Sequence, residues 1–357
     1  MIKLPGKLPG GKALRQALLI LLLIGFVVVV TRQFTDFASL ASIASTARWQ
    51  WLVVALGLHV LYYLAYPLLY RAGFLIVGVD VPIGSLLANF FASDFVNAVA
   101  PLGGAGSAAI FIDNAVSHGQ SGARTAAGIL LVLILDLVTS LPFIGYGVVY
   151  LAQKGDLAPY DVVITVFFTI FIGLLIAVLA LSYANVSLTR RVFGWLGAAG
   201  NRVAHLLRRR RLVRDGWASE NAAQFSLASE AVAASPVKLL LATHIGLLLH
   251  VVNILGLWAL FVAFDQAISP GVVVAGFGLS TVYAVVSVLK GVGVVEYIVS
   301  LVFASGGVAE PRAIAITLAF RGLTYWMPLL IGLVFVSRAP TFSGRSRAGA
   351  RQEVELG

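Results

Sequence analysis

The 357-residue chain is 60% hydrophobic and 11% charged, with 25 basic against 15 acidic residues and a net charge of +10. Soluble domains are about half apolar and a quarter charged, so this composition, with its mean hydropathy of +0.97, excludes a water-soluble fold. The absence of cysteine further excludes a disulfide framework, a thiolate metal site and a cysteine nucleophile.

A bilayer core about 30 Å thick takes about 20 apolar residues per spanning helix. The first such run covers residues 14–31 behind Lys3, Lys7, Lys12 and Arg15. A signal peptide starts in the same way, but the cleavage pattern is weak and Arg32 follows closely, so the run reads as a retained span. Residues 6–12 come near a phosphate-binding loop, yet Ala13 stands where a Ser or Thr would hold magnesium and no strand precedes it. No nucleotide and no other cofactor is expected. A second run covers 51–70; Trp49, Trp51, Tyr62, Tyr63 and Tyr66 read as an aromatic belt with packing residues.

The next apolar stretch, 83–117, is interrupted by Pro101-Leu102-Gly103-Gly104-Ala105-Gly106 and reads as two half-helices meeting at a turn. Runs at 121–149 and 162–184 follow. Segment 187–235 mixes Arg190, Arg191, Arg202, Arg208 to Arg211 and Arg214 with spaced apolar residues, as an interfacial helical loop would. Beyond it come a run at 238–264, a second broken stretch at 271–305 with Lys290-Gly291-Val292-Gly293 at the break, and a last run at 312–337. The small, polar tail 341–357 is expected to be disordered.

Short loops rich in Lys and Arg stay cytoplasmic. Six crossings from a cytoplasmic N-terminus return both the Arg190 to Arg214 segment and the tail to that side only if each broken stretch enters and leaves on one face. The expected fold is therefore an all-α integral membrane protein with six full transmembrane helices and two re-entrant broken-helix hairpins in an inverted repeat. Its single domain spans 1–340, with inverted halves at about 48–150 and 238–337 joined through 187–235; Pro142 and Pro328 mark corresponding long spans.

Backbone freed at a glycine turn inside a bilayer needs protein or water around it, which makes Pro101, Gly103, Gly104, Gly106, Gly291 and Gly293 site candidates. Charged residues at a helix centre cost about 2.5 to 3.5 kcal/mol on insertion scales. Those retained are Asp94, with Asn97 beside it, Asp113, Asp136, Lys290, Glu296 and Arg321. Arg321 is the leading candidate, with Glu296 or Asp136 as its partner; a guanidinium there can exchange a carboxylate for a lipid phosphate. His244, His250 and Asn253 share one span, with His250 and Asn253 on one face. No glutamate completes a metal spacing, so a histidine bonded to a neighbouring helix is the expected arrangement and no metal is assigned.

Asn97 with Pro101 to Gly106, followed by Asp136, and Gly291-Val292-Gly293-Val294-Val295-Glu296 followed by Arg321 together resemble the flippase-like membrane domain of the lysylphosphatidylglycerol synthase family. The likeness covers nearly the whole chain and implies translocation of a lipid without its synthesis, since no aminoacyl-transferase domain follows. The chain departs from the family pattern at Ser107 and Ile110, where an acidic residue and an arginine are common, at Leu133, where an arginine is common, and at Leu289 and Lys290, in place of a proline and a glycine. These changes bear on the headgroup site more than on the fold.

The expected function is translocation of a phospholipid or lipid-linked headgroup across a bacterial or archaeal inner membrane, with both termini cytoplasmic. Alternatives are a secondary transporter for a small solute or ion and a non-transporting scaffold for a lipid-modifying enzyme. No enzymatic activity is expected. The partners expected are a membrane lipid with an anionic phosphate, the anionic leaflet through Arg208 to Arg211, and another copy or a separate synthase, but no nucleic acid.

Overall fold

The computed structural model describes residues 45–99, 103–206, 216–286 and 293–336. Outside them lie the expected span at 14–31, Pro101, Arg208 to Arg211, Lys290, Gly291 and the tail. The described residues are helical, with no strand among them. In chain order the helices are α1 (Trp49–Ile76), α2 (Ile83–Val99), α3 (Gly103–Ser117), α4 (Gly122–Lys154), α5 (Pro159–Ala184), α6 (Val186–Leu206), α7 (Trp217–Ala233), α8 (Pro236–Ala263), α9 (Pro270–Val286), α10 (Val294–Ser305), α11 (Glu310–Arg321) and α12 (Met327–Val336); a π-helical turn, Gly322–Trp326, joins the last two.

Five units are long and apolar enough to cross a membrane: α1, α4, α5, α8 and the continuous α11 to α12. They coincide with five of the six expected runs. Of these α5 is the most apolar, with a mean hydropathy of 3.0 and only 11% of its most apolar window buried. Such a helix is stable only in lipid, and the chain is a multi-pass membrane protein.

Both interrupted stretches form helical hairpins. Ser93 Oγ on α2 donates to Ser107 O on α3 at 3.0 Å, and Gly106 lies against Val96. In the other hairpin Gly276 on α9 lies under Phe303 of α10, and Gly306 under Val272, so each pair of helices runs antiparallel.

Long helices pack across the two halves by close backbone approach, the usual means of helix association where lipid removes the hydrophobic drive. α1 and α8 run antiparallel, with Arg48 N bonded to Ala263 O at 2.8 Å and His59 seated on Gly256. α4 meets α9 where Gly147 faces the Ala275 backbone, and α12 meets α2 where Gly332 faces the Phe91 carbonyl. Added side chains would collide at both crossings. The last helix of each half thus packs on the first hairpin helix of the other, and the hairpins begin at opposite ends of the α1–α8 pair.

The segment after α5 departs from a free interfacial loop. Amphipathic α6 does expose Trp195, Leu196, Arg190 and Arg191. α7, however, is docked: Ala222, Phe225 and Ala228 are buried, Ser226 Oγ donates to Ser182 O at 2.8 Å, and Arg124 Nε donates to Gln224 Oε1 at 3.2 Å. Small residues at 222, 226 and 229 let this helix approach α4 and α5 closely.

Candidate functional site

Arg321 ends α11 and Glu296 stands in the first turn of α10. Both are buried, at 4% and 2% exposure, and Arg321 Nε donates to Glu296 Oε1 at 2.9 Å. The other carboxylate oxygen accepts from Gly293 N–H at 2.7 Å, which places a negative charge where the α10 dipole favours one. Gly293 has φ +84°, a left-handed conformation that glycine takes without a side-chain clash. The Arg321 guanidinium carbon lies 4.7 Å from the Tyr325 ring centroid, a cation–π contact.

A π-turn follows Arg321, ending just before Pro328. Met327 N–H bonds to Gly322 O, a five-residue step, and in that register the donor due to Leu323 O is residue 328, a proline without an N–H. The orphaned carbonyl accepts instead from Tyr63 Oη on α1 at 2.8 Å. One widened turn therefore ties the Arg321 helix to the first half of the chain. Among the aromatics read as a belt with packing residues, Tyr63 is buried and bonds to the π-turn, and Tyr62 and Tyr66 are half-buried beside it. Trp49 and Trp51 are exposed. The only trace of the tyrosine contact in the sequence is Pro328 inside an otherwise helical run.

Asp94, half-buried on α2, joins this group. Tyr325 interacts electrostatically with Arg321, Asp94 and Glu296, and Tyr63 with Asp94 and Arg321. Asn97 is exposed near the end of α2, and Gly103 and Gly104 open α3. Gly106 serves hairpin packing, and Asp113 is exposed on α3.

Of the two partners expected for Arg321, Glu296 is the one that bonds to it; Asp136 faces His250 on α8, with Oδ1 and Nε2 3.8 Å apart. His250 Nε2 also donates to Asp136 O at 2.9 Å and to Thr139 Oγ1 at 3.1 Å, the interhelical role expected of it. His244 is exposed and bonds within its own helix. Among the described residues no group of three or more His, Cys, Asp and Glu could hold a metal ion.

Beside α10 an open, largely apolar groove of about 650 Å³ runs between α5 and the second hairpin. Tyr160, Val163 and Phe167 line one wall, and Tyr283, Tyr297 and Ile298 the other. Tyr283 Oη crosses to Asp161 Oδ1 at 2.7 Å. Tyr297 and Ile298 follow Glu296 directly, so the groove and the buried ion pair lie on the same helix.

The chain matches the family described as Lysylphosphatidylglycerol synthase TM region over residues 16–332. No curated protein was found to be similar to it. A match over most of the chain shows membership, and the chain belongs to the lysylphosphatidylglycerol synthase membrane-region family.

Proposed function

We propose that this member of the lysylphosphatidylglycerol synthase family is a lipid translocase rather than an enzyme, and that it receives the lipid phosphate where Arg321 meets Glu296. The observation that carries this reading is a fully buried guanidinium–carboxylate pair at the start of α10, on the helix that also borders a groove of about 650 Å³. Arg321 and the α10 N-terminus form an anion site that the Glu296 carboxylate occupies internally. A phosphate diester that displaced the carboxylate would keep charge-assisted hydrogen bonding and add a second contact to the planar guanidinium. Acyl chains would remain in the groove while the headgroup passes through protein.

Supporting the transport reading are the exchanged packing of α4 on α9 and α12 on α2, and hairpins that start from opposite ends. They favour re-entrant hairpins in an inverted repeat, whose rocking would expose the site to each face in turn. On that topology the Arg208 to Arg211 cluster is cytoplasmic, while Lys154 and Glu310 face outward. Single cysteines at these sites in a chain without native cysteine should label from those sides; cytoplasmic labelling at position 310 rejects the inverted arrangement.

The direct experiment follows tail-labelled fluorescent phosphatidylglycerol, present in trace amounts in phosphatidylglycerol–phosphatidylethanolamine proteoliposomes, by dithionite quenching. Arg321→Lys keeps the charge and loses the planar fork, so probe movement should fall by about tenfold or more. If Arg321→Met combined with Glu296→Gln moves the probe at the parental rate, phosphate is not recognised there.

A further inference from the structure

We infer that Asp136 and His250 form a proton-binding site at mid-depth in the membrane domain, and that lipid movement is coupled to the proton exchanged there. The coupling rests on the translocase reading; the proton site stands on its own geometry.

Asp136 lies near the middle of α4 and His250 near the middle of α8, the depth at which an uncompensated charge is most costly. The imidazole does not neutralise the carboxylate by a direct bond. Thr139 Oγ1 gives its own hydrogen to Leu135 O at 2.7 Å and so accepts from His250 Nε2, as does Asp136 O. The Nε2–H is thereby committed, and the carboxylate stands 3.8 Å away. The two groups also differ in access: the Asp136 side chain is 25% exposed and that of His250 6%. An accessible carboxylate beside an enclosed imidazole is suited to taking up and releasing a proton. A structural ion pair would place the two in contact.

Among the described residues, the titratable groups facing Asp136 are His250 from α8 and Tyr62, Tyr66 and Tyr70 from α1. Asp94 from α2 acts on Tyr62, Tyr63 and Tyr70. The Tyr66 hydroxyl hydrogen-bonds the Asp136 carboxylate. Tyr62 and Tyr63 have ring centroids 5.1 Å apart, and Tyr63 bonds to the π-turn beside Arg321. A row of packed tyrosine rings, Tyr66 on Tyr62 and Tyr62 on Tyr63, therefore joins the neighbourhood of Asp136 to the Arg321 region.

The step is a proton transfer alone. An acid in the water of one face gives its proton to an Asp136 carboxylate oxygen, leaving its conjugate base behind. The neutral acid releases that proton to water on the other face after the domain changes orientation. Neutralising Asp136 weakens the acceptor of Tyr66, and the packed rings of Tyr66, Tyr62 and Tyr63 carry the resulting shift to the π-turn beside Arg321.

Two measurements test this on the full chain in proteoliposomes. Infrared difference spectra between about pH 5 and pH 8 should contain a protonated-carboxyl band that Asp136→Asn removes and His250→Gln displaces. A spectrum that Asp136→Asn leaves unchanged overturns the proton site. The second measurement repeats the phosphatidylglycerol assay with an imposed pH gradient, which should speed the parental protein severalfold in one direction and leave Asp136→Asn insensitive. A parental rate indifferent to the gradient overturns coupling while sparing the translocase. A parental protein that moves no probe under either condition overturns the translocase reading and the coupling together, and the infrared band still decides the proton site.

Discussion

The fourth helices of the two halves begin from similar sequences and end in different chemistry. Each is a long apolar run with an internal proline, Pro142 or Pro328, and a glycine that meets the other half's hairpin. In α4 the helix stays regular through Pro142, and the Asp136 carboxylate faces His250 Nε2 at 3.8 Å while the imidazole bonds the Asp136 backbone carbonyl instead. In α11 to α12 a π-turn lies between Arg321 and the proline, and the charge is locked to Glu296. One long helix thus holds a carboxylate apart from the imidazole it faces, and the other holds a directly bonded ion pair.

The largest effect expected is at the fixed pair. Glu296→Ala leaves Arg321 buried beside an empty place and should cost about 3 to 5 kcal/mol, read as a lowered thermal midpoint in detergent. Arg321→Met with Glu296→Gln should recover most of that loss; equal destabilisation by the single and double variants would show that the two charges do not act as a unit. Asp136→Asn, by contrast, should cost much less, because His250 is not bonded to the carboxylate.

The crossing glycines come next. Gly147→Leu and Gly332→Leu both overpack a helix crossing, at about 1 to 3 kcal/mol or more. Gly332→Leu should be the worse, since a side chain there would come closer to the Phe91 carbonyl than one at 147 would to the Ala275 backbone. A reversed order would break the correspondence between the two crossings.

Tyr63→Phe removes the donor to Leu323 O and should cost about 1 to 3 kcal/mol. Pro328→Ala restores a backbone N–H, so in that background the cost of Tyr63→Phe should shrink, a coupling measurable by a double-mutant cycle. An unchanged cost would disconnect the tyrosine from the π-turn. The smallest effect is at the exposed Arg48–Asp265 pair, whose side chains are 55% and 68% exposed; Arg48→Ala should change stability by only about 0 to 1 kcal/mol.

Membrane residence, the positions of five spanning helices and the two broken stretches followed from the sequence alone, because an apolar run of sufficient length has few alternatives in water or lipid. Arg321 and Glu296 were visible for the same reason: a charge in such a run stands out. What pairs with what was not visible. The choice of Glu296 over Asp136 follows from the packing of α10 on the neighbouring α11 within the second half, while Asp136 of the first half faces α8 instead. Tyr63 and Tyr66 read as belt or packing aromatics without distinction, since periodicity cannot say whether a tyrosine face turns to lipid or to a neighbour. Sequence determined which residues must be inside the membrane; tertiary structure decided their partners, because pairing depends on contacts between segments more than a hundred residues apart, such as Asp136 with His250 and Tyr63 with Leu323.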